Sequence, residues 1–257
     1  MPEWTLDTED FAALWYSDAN DRFPRPLNYR SRFAFREDFT AHRDVVRGQY
    51  SADEFEELEL ALRTLSSSDM RFEILGGTRK HKNSNGTDPR EYHIVGARNP
   101  YHCVVLFQAV LGKDNGPIRL RMSRAENLPS YLVKSIPACK PGTHRPATFH
   151  PDDLRGPNNS HFETVGRSTP REQYRRLLGR PSDGGGAAGF LVAPLYARPE
   201  PSNTMQWYDI IDDGRYTELR GQHISVRPTT PDDITSQFTI WIERALQRLR
   251  EAEQDQW

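Results

Sequence analysis

The chain has 257 residues, 34 of them basic and 36 acidic, for a formal net charge of −2. That length can bury a sizeable core, and the balanced charge excludes a strong field that would attract nucleic acid or an anionic membrane. Of the two cysteines, Cys103 lies in the apolar run Cys103-Val104-Val105-Leu106-Phe107. A thiol there acts as a small hydrophobe, so a reducing cytoplasm is a better expectation than a disulfide to Cys139. The start, Met1-Pro2-Glu3-Trp4, lacks the basic and apolar regions of a secretory signal. No apolar run approaches the ~20 residues of a membrane span.

In chain order, Trp4 to Leu6 predicts a short strand, followed by a helix capped by Asp7 or Thr8 with Phe11, Leu14 and Trp15 on one face. Pro24 and Pro26 break the chain before a helix over 38–47. Ser51 and Glu54 form a capping box for the next helix, whose stripe is Phe55, Leu58, Leu62 and Leu65. Four strands follow: Arg71 to Leu75, Glu91 to Ala97, Tyr101 to Leu111, and Pro117 to Met122. The stretch from Gly77 to Arg90, with Asn85-Gly86, reads as a long hairpin loop. Asp114-Asn115-Gly116 reads as a tight turn. A helix with Pro129 in its first turn covers 128–136.

Residues 137–167, rich in Pro, Gly, Asn and His, read as an irregular linker between an N-terminal half, 1–140, and a C-terminal half, 141–257, of one body spanning 1–257. Thr169-Pro170-Arg171-Glu172 opens a helix ending near Gly179, and Pro181 to Gly186 reads as a flexible glycine-rich loop. Strands are expected over Gly189 to Ala197, Met205 to Ile211, Arg215 to Leu219, and His223 to Arg227. Thr230-Pro231-Asp232-Asp233 then starts a long helix with Ile234, Phe238, Trp241, Ile242, Ala245 and Leu249 toward the core. Runs of strands between helices, joined by short turns, favour an α+β fold with a central antiparallel sheet flanked by helices.

The two halves echo each other. The strand–helix pattern from Ile118 to Ile136 returns 106 residues later from Ile224 to Ile242, with four identities in nineteen positions. At the same offset, without a gap, Tyr101, Val104 and Val105 fall on Trp207, Ile210 and Ile211.

Catalytic and cofactor patterns are absent. Gly184-Gly185-Gly186 is not followed by Lys-Ser/Thr, no dinucleotide fingerprint opens a helix, and no Gly-x-Ser-x-Gly elbow occurs. The eight histidines show no metal-ligand spacing, so neither a cofactor nor a metal is expected. Asp209, Asp212 and Asp213 are the densest carboxylate group. They suit a hairpin turn, or alternatively a divalent ion or acid/base pair in a small-molecule-binding or hydrolytic enzyme, for which His93 and His102 are further candidates. The basic residues Arg79, Lys80, His81 and Lys82 have no aromatic platform among them, which favours a solvated loop over single-strand binding. Trp207 and Tyr208 point to opposite faces of one strand, so one is core and the other a possible surface anchor. Candidate partner-contact residues are therefore Trp207, Tyr208, Tyr196, Arg79, Lys80 and Lys82.

Trp4-x-Leu6, Phe11-x-x-Leu14-Trp15 and Phe23-Pro24-x-Pro26-Leu27 resemble the N-terminal signature of the EspG family. Leu62-Arg63-x-Leu65, Trp207-Tyr208-Asp209, Gly214-Arg215-Tyr216 and the C-terminal strand with its Thr-Pro-Asp-Asp helix extend the resemblance over nearly the whole chain. It implies an antiparallel sheet with two pseudo-two-fold related halves and a non-enzymatic role as a cytosolic chaperone of actinobacterial type VII (ESX) secretion. The expected partner is a secreted helical client, PE–PPE-like or WXG100-like, bound through the sheet and the C-terminal helical part. The variable hairpin loop of the family falls on Gly77 to Arg90. No nucleic acid and no membrane insertion are expected.

Overall fold

The computed structural model describes residues 2–80, 89–112, 114–155, 168–197 and 199–254. Strand β1 (Glu3–Leu6) leads into α1 (Thr8–Trp15), whose first turn is closed by the Asp7 carboxylate accepting from the Glu9 amide. Helices α2 (Arg36–Arg47) and α3 (Ala52–Ser66) follow, the latter with the expected reciprocal Ser51–Glu54 capping box. Then come β2 (Met70–Thr78), β3 (Arg90–Arg98), β4 (His102–Leu111), β5 (Asp114–Arg124) and α4 (Leu128–Ser135). The second half comprises β6 (Ala147–Phe149), α5 (Pro151–Arg155), α6 (Pro170–Leu178), β7 (Ser182–Leu191), β8 (Asn203–Ile210), β9 (Arg215–Arg220), β10 (Ile224–Pro228) and α7 (Pro231–Gln254).

The ten strands of the described residues form one antiparallel sheet in the order β1-β5-β4-β3-β2-β7-β8-β9-β10-β6. The order mirrors itself about the β2–β7 seam, so β3 answers β8, β5 answers β10, and α4 answers α7. The two edges are the short strands β1 and β6, which leave little unpaired backbone for an incoming chain.

Alternation along each strand sorts the side chains into two layers. On one face Phe72, Ile94, Val105, Phe190 and Trp207 pack beneath α4 and α7, with Trp241 stacked on Phe72 and Phe238 tilted against it. On the opposite face Val95, Val104, Leu106 and Ile118 pack beneath α1 and α3, while Tyr216, Ile224 and Val226 pack beneath Leu177 and Leu178 of α6. Both cysteines are free, and burial pushes the Cys103 thiol up to about 12.

Several expectations need correction. The stretch Pro181 to Gly186 is not a flexible loop, because Ser182 onward is β7, a central strand. One row across the sheet runs Tyr92–Gly76–Gly186–Trp207. A Cβ at Gly76 would lie 2.2 Å from the Tyr92 ring and one at Gly186 2.5 Å from the Trp207 ring. The glycines are therefore the floor under two large rings that meet at the centre of the sheet, where Trp207 Nε1 donates to Tyr92 Oη at 3.2 Å. The linker 137–167 contains β6 and α5, while residues 156–167 lie outside the described part. The hairpin turn after β4 falls at Gly112, with φ +62°, and Asp114-Asn115-Gly116 belongs to β5, which realigns through a bulge near Gln108 and Val110. Strand β7 stops at Leu191, before the non-repetitive backbone around Pro194. Leu249 is 38% exposed, since α7 has by then run past the sheet. The ungapped echo of Tyr101, Val104 and Val105 in β8 also fails, because mirror order sets β4 against β9.

A bare central groove and the candidate client surface

The helices leave part of the second face open. Helix α3 lies over β3 and β4, and α6 lies over the side chains of β9 and β10. Between them, among the described residues, β2, β7 and β8 carry no helix on this face. Their upper halves present Leu75, Gly77, Gly185, Ala187, Gln206 and Tyr208, with Leu75 49% exposed. The resulting groove of ≈ 390 Å³ is floored mainly by glycine and alanine. At the lower end the segment joining β7 to β8 crosses the same face. It is held by the buried Arg71, whose guanidinium donates to the carbonyls of Ala193, Pro194 and Ala197 at 2.9–3.0 Å and to Glu73 at 2.9 Å.

The walls of the groove are fixed. The Tyr208 hydroxyl donates to Gln206 Oε1 at 2.9 Å and to Glu218 Oε2 at 3.2 Å, and Tyr174 of α6 donates to the same Glu218 oxygen at 2.8 Å. Burial, with the Glu218 charge, raises the Tyr208 hydroxyl above its usual range, so it stays a neutral donor. At the rim, Arg79 continues the pairing of β2 with β7 through its amide to the Asp183 carbonyl at 2.7 Å. Lys80 Nζ lies 2.7 Å from Asp183 Oδ2, and that bond raises the lysine pKa.

The structure thus brings Arg79 and Tyr208 to one groove, while Lys80, tied to Asp183 at its rim, lines a cleft on the opposite face. Trp207, 1% exposed, is a core side chain on the other face and is corrected as a partner anchor. Tyr196, 79% exposed, stands apart at the lower crossing. Lys82 and His81 lie outside the described residues, as does most of the hairpin between Gly77 and Arg90. What sequence reasoning missed is Leu75, Gly185 and Ala187, whose role depends on which strands the helices leave bare.

The acidic cluster does structural work. Arg215 donates to both oxygens of Asp209 at 2.7 and 2.8 Å and to the Pro137 carbonyl at 2.8 Å. Asp213 accepts from Thr143, from Arg180 at 2.6 Å and from Tyr216 at 2.7 Å. Burial opposes its ionisation, but these donors hold its carboxyl well below the usual range. Asp212 is the left-handed residue of the turn, φ +61°. The cluster ties the 137–143 crossover to the β8–β9 hairpin. His93 faces Gln108 across β3 and β4, whereas His102 lies six residues along β4, roughly 20 Å away at strand rise. Among the described residues no group of three or more His, Cys, Asp or Glu is placed to hold a metal, and no helix is long and apolar enough to cross a membrane.

The EspG family model matches residues 7–239. The chain belongs to the EspG family. The same fold occurs in the Mycobacterium tuberculosis type VII secretion chaperone EspG5, solved in complex with a PE25–PPE41 dimer. The TM-score is 0.58 at 14% identity, covering 91% of this chain and 94% of that one. The M. tuberculosis protein HtdX (TM-score 0.19, 13% identity, 89% of this chain and 98% of that one) and the Umbellularia californica 12:0-ACP thioesterase (0.16, 10%, 75% and 87%) fall below a usable likeness. No curated protein sequence matches significantly. This EspG-family chain therefore shares its sheet and helix layers with a chaperone, and its family match runs over residues 7–239.

Proposed function

We propose that this EspG-family protein is a cytoplasmic, non-enzymatic chaperone of a type VII secretion system that holds a helical PPE-like client in the central groove. The carrying observation is the gap between α3 and α6. Three strands at ordinary spacing, with a half-spacing on either side, give an opening of roughly 14 Å, and a helix with side chains is about 10–12 Å across. The glycine and alanine floor lets a client backbone approach closely, and the exposed Leu75, paired with Ala187, offers an apolar contact beside it. This is recognition of a helix in a groove. Membership of the family and the client bound by EspG5 support the same reading. A WXG100-like helical protein is the alternative client. Residues 1–140 and 141–257 act as halves of one body, each supplying one wall. The acidic cluster is already committed to Arg180 and Arg215, which favours binding over catalysis.

The test is co-expression with PE–PPE pairs and WXG100-like proteins from the same genome. A specific pair should co-purify with the wild-type chain and be lost from Leu75→Glu and Ala187→Trp variants of unchanged Tm. Undiminished capture by both variants would remove the groove from the interface. Failure of every such pair to co-purify would overturn the chaperone reading.

A further inference from the structure

A second, differently built surface lies on the opposite face of the sheet. Helix α4 has eight residues and α7 has twenty-four, so α7 covers its half while α4 stops at Ser135 and leaves a cleft of ≈ 430 Å³ over β3, β4 and β5. Among the described residues five cations line it, Lys80, Arg90, Arg119, Arg121 and Lys134, against one carboxylate, Glu3. The whole chain has a net charge of −2, so this concentration is local. Lys80 is paired with Asp183 and Arg121 with Glu3. Among the described residues Arg90, Arg119 and Lys134 have no carboxylate partner.

The rings beneath these cations set their spacing. The Arg119 guanidinium lies 4.6 Å from the Phe107 centroid, while Arg121 and Lys134 lie 5.1 and 5.3 Å from that of Tyr131. Cation–π contact favours these placements. It holds Arg119 on one ring and Arg121 with Lys134 on another, instead of converging all three on one point, which suits an anion spread along a chain better than a single phosphate. The rings also have their faces occupied by cations, so nucleic-acid bases lack free stacking platforms. The lining adds apolar surface from Val105, Ile136 and Pro137. Folding does not demand this chemistry, because the repeat-related positions of Arg119 and Tyr131 are Ser225 and Gln237.

We propose that this cleft docks an acidic polypeptide segment of a partner protein, with successive carboxylates on Arg119 and Lys134 and an apolar side chain between them. The site is separate from the central groove and does not depend on the client reading. The probe is a short fluorescein-labelled peptide rich in Glu with interspersed Leu, measured by fluorescence anisotropy on the full chain at about 50 and about 300 mM salt. Controls are the same peptide with Lys for Glu, labelled oligothymidylate and inorganic phosphate as competitor. The acidic peptide should bind, weaken with salt, and weaken about tenfold or more in an Arg119→Glu/Lys134→Glu variant, as expected for reversed charges at an interface. An Arg79→Glu variant, altered at the central groove, should bind within about twofold of wild type. Absence of peptide binding, equal binding by the double variant, or tighter binding of oligothymidylate would overturn the proposal, as would full competition by millimolar phosphate. Thermal melts of both variants guard against misfolding, and a milder Arg119→Gln variant with intact Tm should show an intermediate loss.

Discussion

Single side chains decide which parts of this molecule are scaffold. Asp213, 8% exposed, gathers Thr143, Arg180 and Tyr216 around one carboxylate. Its folded pKa is depressed, so its stabilisation is full above the ordinary carboxylate value near ~4 and is lost as pH falls through the folded value. Asp213→Asn should therefore be clearly less stable than wild type at neutral pH. The difference should narrow as urea-melt midpoints are followed below about pH 4. A constant difference across that range would assign the effect to packing alone. Arg71 makes a parallel case, with a buried guanidinium satisfied by three loop carbonyls and Glu73. Arg71→Ala strands those carbonyls and should cost about 3 kcal/mol in chemical unfolding. It should also speed hydrogen exchange in the β7–β8 connection, which a loss of packing elsewhere would not.

At the scale of elements, the informative case is β7. Local propensity assigns its glycines to a loop, since glycine weakens a strand interior by roughly 0.5–1 kcal/mol relative to alanine. The sheet overrides that preference because Tyr92 and Trp207, on flanking strands, need the volume above Gly76 and Gly186. Gly186→Val should then lower stability by about 1–3 kcal/mol through overpacking against Trp207. Thermal melting and Trp fluorescence would read the change, whereas an unaltered Tm would mean that the rings have room to shift. Helix starts behave in the opposite way. Ser51, Thr169 and Thr230 close their first turns with Glu54, Glu172 and Asp233, as their sequence spacing requires. Ser51→Ala should cost about 1 kcal/mol, measured by urea denaturation.

At the scale of the whole molecule, the mirror order of the sheet makes two comparable halves, and the differences between them create the surfaces. On one face the lateral gap between α3 and α6 opens the groove; on the other the shortness of α4 relative to α7 opens the cationic cleft. The echo at offset 106 marks β5–α4 and β10–α7 as counterparts, which the strand order bears out for those units. It does not carry back into β4, where the hairpin lengths of the halves diverge.

The sequence by itself determined most of the elements, because capping pairs, alternating apolar residues and helical stripes act over a few neighbouring residues. Leu58, Leu62 and Phe238 were legible as interior for that reason. It also determined the family, whose motifs are spread in order along the chain. The tertiary structure alone decided that the glycine run is a central strand, that Trp207 is core and Tyr208 a groove wall, and that Asp209 and Asp213 are tied to arginines. It alone decided that Leu75, apolar and set in a strand, faces solvent. Each of these depends on partners brought together from 6 to more than 100 residues away, by strand pairing that no local pattern encodes.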